Sequence, residues 1–119
     1  IFVSKNRAEA IESLIGNKND LAILDDGFQD FAINKNLSIV CFNQKQWIGN
    51  GFIIPSGPLR EKLSALKRAH CVFINGKADT RIENEIYREN KNTLSIWYIF
   101  KWSITKFEIK CILGWAVIM

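Results

Sequence analysis

Three short apolar runs, one of them interrupted only by Ser38, constrain the fold of this chain more than any other feature. They cover residues 21–24, 37–42 and 71–74. Continuous apolar runs of this length are typical of strands that are buried on both faces of a parallel sheet. We therefore expect residues 21–24 to form a central parallel strand that is covered on both sides.

Helical patterns separate these runs. Asn6 is a predicted N-cap for an amphipathic helix that ends at Gly16, because asparagine caps helix starts and glycine ends helices. Further elements are predicted at residues 62–68 and 80–90 as helices and at residues 94–100 as a strand. Strands that alternate with helices indicate an α/β fold with a mostly parallel sheet.

Length and composition bound the class of protein. The chain has 119 residues, which is the size of one domain and small for a complete enzyme. Apolar residues make up 48% and charged residues 24%, so the composition is globular and excludes a disordered chain. The net charge of +4 suits anionic ligands, phosphates and an acidic membrane face about equally, and does not choose between them.

The cysteines and the hydropathy pattern exclude other classes. Cys41, Cys71 and Cys111 lie far apart, and no pair has the spacing of zinc ligands. Cys41 and Cys71 lie in apolar runs and are predicted to be buried free thiols. An odd number of cysteines without a disulfide framework fits a reducing cytosol. No apolar run approaches the roughly 20 residues that span a bilayer.

Two carboxylates follow the first apolar run directly. Asp25 and Asp26 stand where an α/β sheet binds its ligand, at the carboxyl end of a strand. An acidic residue there is the Walker B arrangement, in which it reaches Mg²⁺ or a metal-bound water beside nucleotide phosphates. We predict metal-site residues rather than turn formers. The tripeptide alone leaves a simple turn equally open, because Gly27 permits positive φ.

A second polar cluster lies further along the chain. Residues 49–51 read Gly-Asn-Gly and residues 55–61 read Pro-Ser-Gly-Pro-Leu-Arg-Glu. A surface loop ahead of the predicted helix explains the glycines and prolines, but it does not explain Arg60 and Glu61 side by side at the helix start. There an arginine can clamp a phosphate, and a glutamate can supply a metal or hydrogen-bond ligand.

Taken in order, these motifs resemble one family. The pattern is that of the tetraacyldisaccharide 4'-kinases of lipid A biosynthesis. It consists of DDGFQ, an apolar strand, GNG, PSGPLRE, and then Arg68-Ala69 before a strand that ends in Asn75. Asn6-Arg7-Ala8 ahead of a helix also matches. The resemblance runs from about Ile1 to about Asn75, and residues 76–119 match weakly.

The resemblance implies a partial P-loop-kinase-like fold with three layers. It implies an enzyme at the cytoplasmic face of the Gram-negative inner membrane that transfers the γ-phosphate of ATP to the 4'-hydroxyl of a tetraacylated glucosamine disaccharide. The implied cofactors are ATP and Mg²⁺. The implied partners are the lipid A disaccharide precursor and the inner-membrane surface, with no nucleic acid.

The resemblance also implies roles for individual residues. Asp25 and Asp26 would be the Walker B acids that hold Mg²⁺ with ATP, and Glu61 is a candidate third ligand. Arg60 and Glu61 would close over the reacting phosphate from the other side. In such phosphoryl transfer, positioning and charge neutralisation do most of the catalysis.

Gln29 and Gly57 would contact the substrate.

Two other positions depart from the family pattern. Asp30 stands where the family usually has His after DDGFQ, which leaves no imidazole at that point. His70 stands where the family commonly has Asp, and it is predicted to be a helix-end residue rather than a catalyst.

Other family motifs do not occur in these 119 residues. There is no GxxxxGK[ST] phosphate loop, no Gly-Asp-Glu-Pro segment with the family's candidate general base, and no hydrophobic N-terminal anchor. The chain begins with Ile1. We therefore expect one partial kinase domain over residues 1–119, an internal fragment without activity of its own. A truncation or a reading-frame error would explain the unmatched tail.

Two other classes remain open. One is a different P-loop kinase or NTPase that shares the Walker B strand, and the PSGPLRE segment counts against it. The other is a non-catalytic α/β module that binds anionic lipid or nucleic acid. Its support is the pI of 9.1 and the Trp and Phe residues that lie among Lys residues in 97–110. That stretch has no clean helical period, so this class ranks below the kinase.

Overall fold

The structure is a computed structural model that describes residues 5–17, 21–98 and 115–118. The elements follow one another in the order α1 (Arg7–Gly16), β1 (Ala22–Leu24), β2 (Leu37–Asn43), a 3-10 helix (Leu63–Arg68), β3 (Cys71–Asn75), α2 (Thr80–Glu89), β4 (Leu94–Tyr98) and β5 (Trp115–Ile118).

A mixed sheet organises these elements. Its strand order is β1-β5-β2-β3-β4, in which β2, β3 and β4 run parallel. In this parallel part Val72 of β3 lies opposite Val40 of β2 and Ser95 of β4. The 3-10 helix lies in the crossover from β2 to β3, and α2 is the crossover from β3 to β4. The predicted α/β fold with a parallel sheet is therefore confirmed.

The prediction for residues 21–24 is wrong. β1 lies at the edge of the sheet and pairs antiparallel with β5, which occupies the place beside β2. Leu21 and Ile23 are 49% and 58% exposed, so this strand is not covered on both faces. The apolar run of β1 could not indicate its edge position, because β5, which lies between β1 and β2, comes from the far end of the sequence.

The two α-helices begin where local sequence signals place them. The Asn6 side chain accepts a hydrogen bond from the Ala8 amide at 2.9 Å, which confirms it as the N-cap of α1. Asp79 caps α2 in the same way by accepting from the Arg81 amide at 2.9 Å. The helix expected at residues 62–68 is a 3-10 helix, and the strand expected at 94–100 is described as Leu94–Tyr98.

The core lies between one face of the parallel strands and the two helices that cross over it. Val40 and Phe42 stand two residues apart on β2, as Val72 and Ile74 do on β3, so each pair points to the same side. This face packs against buried side chains of the DDGFQ motif, the 3-10 helix and its end, and α2, namely Phe28, Leu66, Ala69, Ile82 and Ile86.

Two tryptophans, one in the loop after β2 and one in β4, form hydrogen bonds to α2. The Trp47 indole N–H donates to Glu85 at 2.8 Å, and the Trp97 indole N–H donates to Glu83 at 2.7 Å. Both rings pack against the core. These contacts hold α2 over the parallel strands.

Cys41 and Cys71 are buried free thiols, as predicted, whereas Cys111 lies outside the described residues. Burial raises the pKa of the Cys71 thiol, and a backbone hydrogen bond from Val72 offsets part of that rise. Across the described ranges, no helix is both long enough and apolar enough to cross a bilayer.

Candidate functional site

The aspartates after β1 lie in a turn. Asp26 has φ of +54°, in the left-handed region that aspartate tolerates better than most residues. The expectation that Asp25 and Asp26 are not turn formers is therefore wrong. The turn leaves Asp25 exposed and the Asp26 side chain 42% exposed, so both carboxylates can reach a ligand. Residues in this backbone region are concentrated at functional sites.

Arg60 joins the two motifs of the site. Its Nη1 donates to both Oδ1 and Oδ2 of Asp26, at 2.6 Å each, across 34 positions of sequence. The side chains are 40% and 42% exposed, and ion pairs in such surroundings contribute about 0–1 kcal/mol. Arg60 can therefore exchange Asp26 for a stronger anionic partner, such as a phosphate, at little loss of stability.

The loop that carries Arg60 is held by its own hydrogen bonds. The Asn50 side chain donates to the Ser56 carbonyl at 2.8 Å and accepts from the Phe52 amide at 3.1 Å. A Cβ at Gly57 would collide with the Phe52 carbonyl oxygen and the Asn50 side chain. Gly57 thus has a packing reason to be glycine, and its contact with substrate stays a prediction.

Glu61 is bound by Arg68, a residue that sequence reasoning had not placed in the site. Arg68 Nη2 donates to Glu61 Oε2 at 2.8 Å and to Oε1 at 3.0 Å. The Arg68 guanidinium carbon also lies 4.9 Å from the ring centres of both Phe28 and Phe31. The sequence signal for this contact was the pair of opposite charges at the two ends of the predicted helix, with Glu61 just before it and Arg68 at its last position.

Gln29 and Glu61 come together at a small cavity. Both line a space of about 30 Å³, together with Phe28, Lys62 and Leu63. The Gln29 Oε1 atom is buried and has no hydrogen-bond partner among the described residues. The cavity is large enough to hold at least one water molecule, which needs roughly 10–15 Å³. The structure thus places an unsatisfied amide beside the Glu61 loop.

Arg7 of α1 braces the aspartate turn from the other side. Its Nη2 donates to the Asp25 carbonyl and its Nη1 to the Asp30 carboxylate, both at 3.4 Å. Asp30, which stands in the position of the family's usual histidine, therefore holds a helix. His70 Nδ1 accepts from the Ser38 amide at 3.0 Å, a contact that fits its expected structural role.

The carboxylates can be tested against the needs of Mg²⁺. Within the part of the chain that the structure describes, no three His, Cys, Asp or Glu side chains form a metal-binding group. Mg²⁺ is commonly held by one or two carboxylates together with substrate phosphates and water. Asp25 and Asp26 fit that mode once Asp26 leaves Arg60, and Glu61 would likewise have to leave Arg68.

Comparison with known proteins gives the family. The sequence model of the family described as Tetraacyldisaccharide-1-P 4'-kinase matches residues 1–108. The chain belongs to this 4'-kinase family. The match includes the DDGFQ and PSGPLRE motifs and extends beyond Asn75.

Individual relatives agree with the family match. A tetraacyldisaccharide 4'-kinase of Pelagibacter ubique is 44% identical over 94 residues, which cover 77% of this chain and 30% of the relative. The enzyme of that name from Haemophilus influenzae is 40% identical over 77 residues, 64% of this chain and 23% of the relative. The enzyme of that name from Pseudomonas putida is 32% identical over 95 residues, which cover 79% of this chain and 28% of the relative. The chain thus spans less than a third of the length of these 4'-kinases. No solved structure matches it.

Proposed function

We propose that the complete protein to which these residues belong transfers the γ-phosphate of ATP to the 4'-hydroxyl of a tetraacylated glucosamine disaccharide, in lipid A biosynthesis. The observation that carries this proposal is the contact between Asp26 and Arg60. It joins Asp26, which we assign as a Walker B acid, to a cation that can bind phosphate, at the carboxyl end of a strand. Membership of the 4'-kinase family supports the choice of acceptor.

The described side chains divide the work of phosphoryl transfer. Asp25 and Asp26 would hold Mg²⁺ with ATP, and the metal, when bound, neutralises phosphate charge. Arg60 moves from Asp26 to the reacting phosphate, where its planar donors match the oxygens. Gln29 faces the acceptor sugar, Glu61 closes over the reacting phosphate together with Arg60, and Gly57 keeps the loop close to the substrate.

The acceptor is a lipid, and the surface near Arg60 suits one. Phe52 and Ile54 are large, exposed apolar residues of the same loop. We infer that this loop works at the cytoplasmic face of the inner membrane, where the lipid A disaccharide precursor is found. No part of this proposal uses nucleic acid.

The non-catalytic alternative receives less support. It depends on residues 97–110, of which 99–110 lie outside the described residues. Within that stretch, the Trp97 indole donates to Glu83 and packs against the core, so its ring is engaged in the fold.

A charge-neutral substitution tests the proposal directly. In the complete protein, Asp25→Asn should lower kcat for phosphorylation of the disaccharide by about 10²-fold or more, the scale for one preorganised electrostatic group. The fold should survive, because Asp25 is exposed. Asp79→Asn, which changes an aspartate at the start of α2, is the matched control and should keep its activity. Near-wild-type turnover by Asp25→Asn at saturating Mg²⁺ would contradict the proposal.

A further inference from the structure

Arg68 contacts both motifs of the site, yet the proposed function gives it no task. One nitrogen of its guanidinium binds both carboxylate oxygens of Glu61, in the PSGPLRE loop. The carbon of the same guanidinium lies over the ring of Phe28, within DDGFQ, and over the ring of Phe31, two residues after it, at 4.9 Å from each ring centre. One planar side chain therefore links the Glu61 carboxylate to the segment that carries Asp25 and Asp26.

These contacts fix the Glu61 carboxylate more firmly than an ion pair alone. An exposed pair of flexible side chains loses most of its gain to side-chain entropy. Here the guanidinium also contacts two aromatic rings, and cation–π contacts contribute about 0.5–1 kcal/mol each at exposed sites. Phe28 is part of the buried core and Arg68 ends the 3-10 helix between buried Leu66 and Ala69, so both ends of the link are anchored.

We propose that Arg68 is a positioning residue for phosphoryl transfer. It holds the Glu61 carboxylate in a set direction relative to the aspartate turn, and it touches neither ATP nor the sugar. The inference rests on the proposed function, since it concerns the same reaction. A lysine would keep the charge but lose the planar group that the rings hold, so the two residues are not interchangeable here.

A double-mutant cycle separates positioning from general stabilisation. Arg68→Gln in the complete protein should lower kcat about 10- to 100-fold, the scale for a small misplacement of a reacting group, and should change the KM for ATP by less than about twofold. In a Glu61→Gln background, Arg68→Gln should have no further effect on kcat, because it acts only through that carboxylate. Arg68→Lys should fall between wild type and Arg68→Gln. Arg81→Gln, which removes an exposed arginine paired with Asp79, is the control.

Three results would overturn the inference: an unchanged kcat in Arg68→Gln, an unchanged kcat in Glu61→Gln, or effects of the two substitutions that multiply in the double variant. A measurement without turnover keeps it distinct from the kinase proposal. The side-chain protons of Arg68 should show an upfield ring-current NMR shift that Phe31→Leu reduces. Absence of this shift overturns the inference. Its presence in a protein that never phosphorylates the disaccharide supports the link and overturns only the proposed reaction.

Discussion

The contact that Arg60 makes with Asp26 in this structure differs from the phosphate contact that we propose for it during catalysis. In the structure Arg60 binds Asp26 through one nitrogen, and its side chain is 40% exposed. We expect Arg60→Lys to lower kcat/KM for ATP even though the charge is kept, because an ammonium cannot reproduce the planar donors. The free energy of unfolding should change by less than about 1 kcal/mol, as for other exposed pairs. Steady-state kinetics and urea denaturation of the same variant measure both quantities.

The adjacent glutamate completes this test. Glu61→Gln keeps the size of the side chain and removes its charge, so it should also lower kcat. If Arg60→Lys and Glu61→Gln both leave kcat/KM unchanged, the PSGPLRE loop is structural and the site lies elsewhere.

Cys71 gives a prediction on pH. Burial raises the pKa of the Cys71 thiol above its usual value, so the folded state favours the neutral thiol. The corresponding stability is present in full below the unfolded pKa and is lost as pH rises through the folded pKa. The free energy of unfolding should therefore fall above about pH 9, and it should fall less steeply in Cys71→Ala. Equal slopes in both proteins would contradict the burial of this thiol.

At the scale of the element, α2 carries the sharpest stability prediction. Ile86 is 1% exposed in the core, whereas the next residue, Tyr87, is 57% exposed on the same helix. Ile86→Ala should lower the free energy of unfolding by about 2–5 kcal/mol through the cavity it leaves. Tyr87→Ala is the matched control and should change it by roughly 0.5 kcal/mol or less. Urea denaturation decides, and similar losses in both variants would mean that α2 is not packed as described.

The elements differ in how far the sequence predicts them. α1 was predicted with its cap because Asn6 and Gly16 act within one turn of the helix ends. β2 and β3 were predicted from buried runs that need no further information. β1 was assigned to the wrong place in the sheet, because its neighbour β5 is remote in sequence and no local pattern reports strand order.

The site was predictable in its members and less so in its contacts. The motifs named Asp26, Arg60 and Glu61 through the residue types that phosphate and metal chemistry need. They could not show that Arg60 binds Asp26, or that Arg68 binds Glu61 and contacts two aromatic rings, because those contacts arise only when the crossover folds onto the DDGFQ segment.

At the scale of the whole molecule, we propose that this chain supplies the acidic strand end and the arginine loop of a larger kinase site. Its parallel strands and its family match support that view, and the part of it that matches the Pelagibacter ubique relative covers 30% of that protein. A segment that supplies a defined part of a site should work inside a related protein.

The most direct measurement is therefore a chimera. The matched segment of the Pelagibacter ubique 4'-kinase is replaced by the 94 matched residues of this chain. Transfer of labelled phosphate from ATP to tetraacyl disaccharide is then measured, with the same chimera bearing Asp25→Asn as the matched control. We expect turnover by the chimera and a loss of about 10²-fold or more in the Asp25→Asn form. A folded chimera without turnover, or one that Asp25→Asn leaves unchanged, would contradict it.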